Sequence, residues 1–205
     1  SVDGTIKYLF PAGPGNYVES VYIPTEDRAT LCVSSQVGCK MNCLFCMTGK
    51  QGFTKNLTAN EILNQIQSIP ETDLLTNLVF MGMGEPLDNY DEVLKFLRNV
   101  TAEGGVCISA RNISLSTCGI VPKIYELAGL DLPITLSISL HAPDDDTRSA
   151  IMPVNNAWGV GELLDACREY YKVTGRRMSF EYTLISGKND TPDSAVHLAN
   201  VLNSK

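Results

Sequence analysis

Three cysteines, Cys39, Cys43 and Cys46, stand close together with the spacing C-x3-C-x2-C. Thiolates grouped on one short loop are ligands for a soft metal ion or for an iron–sulfur cluster. A structural zinc site and a closed iron–sulfur cluster each take four protein ligands. Three thiolates on a four-iron cluster would leave one iron with an open coordination position. The spacing therefore predicts a cluster at which a small molecule can bind iron directly.

A zinc site or simple burial would also account for these cysteines. A zinc ion would need a fourth ligand, which His141 or Cys32 could supply. Cysteines without a metal are commonly small buried hydrophobic residues, and Cys32, on a predicted strand, fits that description. The three-cysteine spacing and its position in a loop after a predicted strand favour the cluster.

Glycine-rich and polar segments follow three later predicted strands. Glycine lets backbone approach a ligand closely, and a carboxylate, a hydroxyl or an imidazole can bind its polar groups. Taken singly, each segment is explained as a turn, a helix cap or a loop anchor. The carboxyl ends of parallel strands lie on one rim of a sheet, so together the segments predict one site. The candidate binding residues are Gly84, Glu85, Ser116, Ser139, Leu140 and His141.

Two kinds of pattern describe the elements that must position these residues. Residues 6–10 and 17–23, separated by a Pro- and Gly-rich turn, predict a β-hairpin. After it, five strands alternate with helices, which predicts an α/β fold with a parallel sheet and helices outside. Such a sheet is either a partial, open βα barrel or doubly wound. The predicted strands cover residues 30–33, 74–81, 112–116, 134–140 and 178–184, and the helices cover residues 59–68, 90–102, 161–173 and segments starting at Pro122 and Pro192.

Two of these helices carry readable signals. Thr58 and Glu61 form a predicted capping box at the start of the first. The helix over residues 161–173 carries Leu163, Leu164, Cys167 and Tyr171 as its apolar residues.

Composition limits the protein class. The 205 residues carry a net charge of −7, which weakly disfavours a nucleic-acid surface. Residues 28–60 nevertheless contain four basic residues and no acidic one, either a solvated loop or a positive surface beside an anionic cluster. No apolar run is long enough to span a bilayer, and the first residues lack a signal-peptide pattern. The seven cysteines suit reduced metal chemistry better than disulfides, so we expect a soluble, cytoplasmic protein.

The motifs taken together resemble a known family. The cysteine spacing is similar to that of the radical S-adenosylmethionine (SAM) enzymes, and residues 24–39, 48–53, 81–87 and 138–143 resemble the RlmN-type dual-specificity RNA methyltransferases. The resemblance implies a partial (open) βα barrel of the radical SAM type in residues 26–205, incomplete at its C-terminal end. Residues 1–25 would be an N-terminal β-hairpin extension.

The resemblance also implies cofactors and roles. Cys39, Cys43 and Cys46 would hold one 4Fe–4S cluster, and the strand-end residues named above would contact SAM. Family enzymes methylate carbon 2 of an adenine in 23S rRNA and tRNA through a methylated cysteine and a covalent protein–RNA adduct. Cys32 matches the cysteine that resolves this adduct, and Glu19 aligns with a glutamate assigned as proton acceptor.

The same resemblance sets the remaining expectations. The methyl-carrying cysteine and the preceding helical domain of the family are absent from this chain, so we expect a core fragment that is not competent alone. We expect a monomer that uses an electron donor such as flavodoxin and has no membrane contact. The alternatives are a carbon-8 adenine methyltransferase, a cluster-bearing electron-transfer or RNA-binding module without SAM chemistry, and a zinc-stabilised domain.

Overall fold

The computed structural model describes residues 1–203. Its strands are β1 (Ile6–Pro11), β2 (Tyr17–Pro24), β3 (Ala29–Cys32), β4 (Gln36–Gly38), β5 (Phe53–Asn56), β6 (Asn77–Phe80), β7 (Ile113–Thr117), β8 (Thr135–Ser139) and β9 (Ser179–Glu181). Its helices are α1 (Met47–Lys50), α2 (Ala59–Gln67), α3 (Tyr90–Thr101), α4 (Val121–Ala128), α5 (Asp145–Ile151), α6 (Val160–Thr174) and α7 (Pro192–Asn203). Short 3-10 turns cover Thr72–Leu74, Ala110–Asn112 and Pro153–Asn156.

Seven strands form one open sheet in the order β1-β2-β3-β6-β7-β8-β9. The predicted hairpin is present as antiparallel β1 and β2, and β2 continues into the sheet by antiparallel pairing with β3. From β3 to β9 all four pairings are parallel, which confirms the predicted set of five parallel strands. Crossover helices are needed because parallel neighbours cannot be joined by a tight turn.

The two faces of the parallel strands differ in chemistry. One face carries large apolar side chains, including Leu78, Phe80 and Leu115, which lie in the hydrophobic core under the helices. The opposite, inner face carries small polar side chains, because strand residues alternate between faces and the registers align their rows. Its residues on β7, β8 and β9 include Ser114, Ser116, Ser137, Ser139, Ser179 and Glu181, of which Ser116, Ser139 and Glu181 lie toward the carboxyl ends.

The helices begin and pack as their sequences predict. Thr58 and Glu61 form the expected capping box at the start of α2. The ring of Phe96 on α3 meets that of Phe80 edge to face, with 5.4 Å between centroids. Phe96 is fully buried, and removing such a side chain from water contributes about 3 kcal/mol or less.

Several local predictions need correction. The strands predicted over residues 74–81 and 178–184 shorten to β6 and β9, since a 3-10 turn at Thr72–Leu74 and the loop after Glu181 take the remainder. Helices α1 and α5 and the small sheet of β4 and β5 were not predicted. In α6, Tyr170 is the buried tyrosine and Tyr171 is exposed, because the i, i+4, i+7 spacing from Leu163 reaches Tyr170.

None of the described helices has the length and apolar composition needed to cross a membrane. All seven cysteines are free thiols.

Candidate active site

A cavity of about 280 Å3 opens at the carboxyl ends of the parallel strands. It brings together eight of the predicted residues, from four separate segments of the chain: Cys39, Cys43, Cys46, Gly84, Glu85, Ser116, Ser139 and His141. Glu19, Cys32 and Leu140 do not line it. A larger groove of about 530 Å3 lies between α2 and α3 and contains none of the predicted cofactor-binding or catalytic residues.

Backbone bonds hold the cysteine loop at its base and at one point within it. The antiparallel pairing of β4 and β5 closes its base, and the N–H of Cys39 donates to the carbonyl of Gly52 over 3.1 Å. Gly38 has a φ of +75°, and a Cβ there would lie 1.6 Å from the carbonyl oxygen of Gly52. Only glycine permits this close approach. Farther along, the N–H of Leu44 donates to the carbonyl of Ile151 at the end of α5.

Burial controls the ionisation of the loop thiols. Desolvation raises the pKa of Cys39 to about 11 and that of Cys43 to about 12. Without a metal both are therefore protonated at neutral pH, and metal binding must release their protons.

The zinc alternative needs a fourth ligand besides the three cysteines. In a 4Fe–4S cluster each thiolate binds a different iron, so three cysteines around a shared cavity suffice. Nδ1 of His141, a proposed fourth zinc ligand, already accepts the N–H of Thr183 over 3.0 Å.

Glu85 is the buried carboxyl group of the cavity. Its carboxylate accepts the hydroxyl of Thr117 over 2.7 Å and the N–H groups of Cys118 and Leu87 over 2.8 and 3.0 Å. Burial nevertheless raises the pKa of Glu85, because loss of water outweighs these bonds. A cationic group entering the cavity would offset this cost.

Gly84 lets the segment after β6 pass directly over β4. Its φ is +101°, and a Cβ would come within 2.6 to 2.8 Å of Gln36, including the backbone nitrogen. The N–H of Glu85 then donates to Oε1 of Gln36 over 2.9 Å. The glycine thus allows the approach that fixes Glu85.

Glu181, which sequence reasoning missed, ties three strand ends together. Its Oε2 accepts the hydroxyls of Ser116 and Ser139, each over 3.0 Å, while Oε1 is buried without a hydrogen-bond partner in the described protein. Glu181 lines the same cavity. The one available signal was its alternation with Ser179 on a strand that ends at this rim.

His141 is held as a neutral side chain. Its backbone has a φ of +58°, its Nδ1 accepts from Thr183, and its ring contacts Phe45 edge to face at 5.1 Å between centroids. Burial, with a smaller contribution from Arg148, lowers the pKa of His141 to about 4. The acceptor role of Nδ1 assigns the proton to Nε2 at neutral pH.

The other three predicted residues lie near the cavity without lining it. Leu140 is fully buried and contributes backbone bonds, its N–H donating to the carbonyl of Glu181. Cys32 is buried on the inner face of β3, and burial raises its pKa. Glu19 lies on the same face, paired with Lys7 over 3.0 Å and about half exposed.

The basic segment over residues 28–60 is partly neutralised. Lys40 pairs with Asp88 over 2.8 Å and lies 4.4 Å from the centroid of the Phe53 ring. Lys55 pairs with Glu61 over 2.6 Å. These ion pairs favour a solvated loop over a positive surface.

The residues present fit a cluster and SAM. Three thiols share one cavity with a buried carboxylate and with a second carboxylate whose Oε1 lacks a donor. An unsatisfied buried acceptor is uncommon and indicates a donor supplied from outside the protein.

Comparison with known proteins decides the family. A family profile described as the radical SAM superfamily matches residues 33–199, which is most of the chain. The chain belongs to the radical SAM superfamily. The predicted cofactors, a 4Fe–4S cluster and SAM, are those of this superfamily.

Individual radical SAM relatives agree with the predicted resemblance. A protein from Parabacteroides distasonis named "Probable dual-specificity RNA methyltransferase RlmN" is 56% identical over 202 residues. The match covers 98% of this chain and 59% of the length of the relative. A protein of the same name from Bacteroides fragilis is 53% identical over 202 residues, which make up 98% of this chain and 58% of the relative's length. The crystal structure of a radical SAM methyltransferase from Sphaerobacter thermophilus superposes with a TM-score of 0.95 at 45% identity, covering 98% of this chain and 60% of that one. The fold prediction of an open radical SAM barrel preceded by a hairpin is confirmed.

The chain spans about three fifths of the length of the curated relatives it matches.

Proposed function

We propose that this chain is the catalytic core of a radical SAM RNA methyltransferase that modifies carbon 2 of an adenine in 23S rRNA and in tRNA. The observation that carries the proposal is the single cavity in which three thiols meet polar groups from three other strand ends. The similarity to proteins named as dual-specificity RNA methyltransferases supports the substrate class.

In this proposal Cys39, Cys43 and Cys46 hold the cluster. Glu85 takes the ammonium group of SAM, since it is the buried carboxylate beside the thiols. Gly84, Ser116, Ser139, Leu140 and His141 complete the SAM site, Leu140 through its backbone. When bound, the cluster supplies the electron that cleaves SAM to a 5′-deoxyadenosyl radical.

Cys32 and Glu19 are assigned to the RNA. Cys32 would resolve a covalent protein–RNA adduct, and its place on the inner face of β3 supports a thiol directed into the barrel. Because burial raises the pKa of Cys32, it needs a base to become a nucleophile. Glu19 is proposed as proton acceptor from the same face, once it separates from Lys7.

The proposal extends to organisation. Residues 1–25 form an extension and residues 26–205 the core, of which residues 204 and 205 lie outside the described part. The methyl-carrying cysteine and much of the RNA surface belong to the remainder of a longer enzyme, consistent with the acidic charge of −7. We propose a cytoplasmic monomer that receives electrons from a donor such as flavodoxin.

Anaerobic reconstitution of this chain with iron and sulfide tests the cofactor site. We expect near-complete cluster uptake, and 5′-deoxyadenosine after addition of SAM and dithionite. Cys43→Ala should abolish uptake, whereas Cys107→Ala, an exposed cysteine remote from the loop, should not. Full cluster loading without 5′-deoxyadenosine would favour the electron-transfer alternative, and zinc without sulfide would favour a zinc domain.

Turnover must be tested in the longer enzyme. We expect a Cys32→Ala variant to accumulate a covalent RNA adduct, visible as a protein–RNA band on a denaturing gel. Mass spectrometry of digested RNA locates the methyl group and separates carbon 2 from the carbon-8 alternative. Unimpeded turnover of the Cys32 variant would remove Cys32 from the mechanism.

A further inference from the structure

Arg148, on α5, is the largest completely buried side chain in the described part of the protein. Its guanidinium donates to three backbone carbonyls at the strand ends: Leu140 over 2.9 Å, Cys118 over 2.6 Å and Ser139 over 3.1 Å. A fourth bond, of 3.1 Å, goes to Oδ1 of Asn155. The side chain therefore fastens the ends of β7 and β8 from beneath the cavity.

All four acceptors of this buried cation are uncharged. No carboxylate of residues 1–203 lies within ion-pair distance of Arg148; Asp145 reaches it only through Asn155, and Glu85 only through Cys118. Buried charges are expensive, and in proteins they are normally paired or bound to a metal centre. The absence of a direct partner indicates that the compensating negative charge comes from a bound group.

The cysteine loop is the neighbour best placed to carry that charge. Cys43 packs in one apolar cluster with Cys118, Ile151 and Met152, the last two at the end of α5. Cys118 lines the cavity and is the residue whose carbonyl Arg148 binds. The guanidinium and the cysteine loop therefore meet at Cys118, which one binds and the other packs against.

We propose that Arg148 is a positioning residue that supplies the buried positive charge opposite an anionic, thiolate-bound cluster and so sets its reduction potential. This inference rests on the proposed function, because it needs the cluster. A reduced cluster carries one more negative charge than an oxidised one, so a nearby cation stabilises the reduced form more. Loss of the charge should move the midpoint potential to more negative values.

Electron paramagnetic resonance (EPR)-monitored redox titration of the reconstituted chain without SAM tests the proposal. We expect a negative shift for Arg148→Gln and a value near wild type for Arg148→Lys, which keeps the charge. The matched control is Arg176→Gln, because Arg176 also donates to a backbone carbonyl, that of Ile134, just before the opposite end of β8. Iron content and circular dichroism of each variant establish that loading and folding are equal.

Each outcome decides something. Unchanged potential in a folded, loaded Arg148→Gln protein overturns the proposal, and so do equal shifts in the Gln and Lys variants. If Arg148→Gln does not fold, Arg148→Met replaces it, because methionine also removes the charge and keeps a long side chain in the buried position; an unchanged potential again overturns the proposal. A wild-type chain that takes up no iron would overturn the proposed function, and this inference with it.

Discussion

Glu85 and Arg148 bind opposite backbone groups of the same residue, Cys118. The carboxylate of Glu85 accepts the N–H of Cys118 over 2.8 Å, and the guanidinium of Arg148 donates to its carbonyl over 2.6 Å. In the described protein the two buried side chains are not in direct contact, and neutral backbone separates them. Together they fix the position of the segment after β7.

Replacing Thr117 should show how much the hydrogen bonds around Glu85 contribute to stability. Thr117→Val removes the hydroxyl that donates to Glu85 and accepts the N–H of Gly119, leaving buried groups unpaired. We expect a loss of about 1–3 kcal/mol in the free energy of unfolding, measured by urea denaturation. Thr101→Val, at a half-buried position whose hydroxyl bonds helix carbonyls, should change it far less. Equal losses would mean that the Glu85 network adds no stability.

Glu181 should contribute to SAM binding through its unpartnered Oε1. Hydrogen bonds to charged groups are worth about 1.5–3 kcal/mol, so Glu181→Ala should weaken SAM binding to the cluster-loaded chain by about 10- to 100-fold. Isothermal titration calorimetry measures this change. Glu162→Ala, on the exposed side of α6, is the control. An unchanged affinity in the Glu181 variant would show that its free oxygen faces no ligand donor.

The cluster-free chain should lose stability in acid through His141. The folded pKa of about 4 lies below the usual 6.5, so between these values the unfolded chain binds the extra proton. The stability from neutral His141 is complete above pH 6.5 and is lost as the pH falls toward 4. The loss in the free energy of unfolding reaches up to about 3 kcal/mol, since each unit of pKa difference corresponds to about 1.4 kcal/mol.

His141→Asn should flatten that profile. Asparagine keeps an acceptor for the N–H of Thr183, tolerates the positive φ and does not titrate. Urea denaturation at several pH values between 4 and 7 provides the measurement. His197→Gln removes the other, half-exposed histidine and should leave the profile as in wild type. A His141→Asn profile as steep as wild type would assign the acid sensitivity to other groups.

The strand–helix alternation was readable because long amphipathic helices and buried strands carry strong periodic signals. Eight cavity residues could be predicted because they belong to motifs at or just after the carboxyl ends of strands, where cysteine spacing, glycines and turns are conspicuous. Glu181 lies inside a short strand and resembles any alternating polar residue. Arg148 could not be read, because a charged residue on a helix is normally solvent-exposed, and only the folded strand ends supply the carbonyls that bind it.

The short elements were missed for a related reason. β4 and β5 have three and four residues, and α1 has four, so their local periodicity is too short to detect. Tertiary contacts stabilise them instead, such as the close approach of Gly38 to Gly52. The roles of Cys32 and Glu19 came from the resemblance, and Leu140 came from a strand-end segment. The geometry places all three beside the cavity without testing their roles.

Gly84 offers a test of close backbone packing with a matched control in the same chain. Gly84 and Gly13 have similar positive φ values, +101° and +107°, so alanine is strained at both positions. At Gly13 a Cβ meets no atom within 4 Å, whereas at Gly84 it collides with Gln36. Gly13→Ala should therefore report the φ strain alone, about 1–2 kcal/mol, and Gly84→Ala should cost distinctly more. Urea denaturation of both variants measures the difference.

Because the displaced segment carries Glu85, Gly84→Ala should also weaken SAM binding to the cluster-loaded chain, while Gly13→Ala leaves it intact. Equal losses of stability in the two variants would contradict the proposed close contact between the segment after β6 and Gln36 of β4.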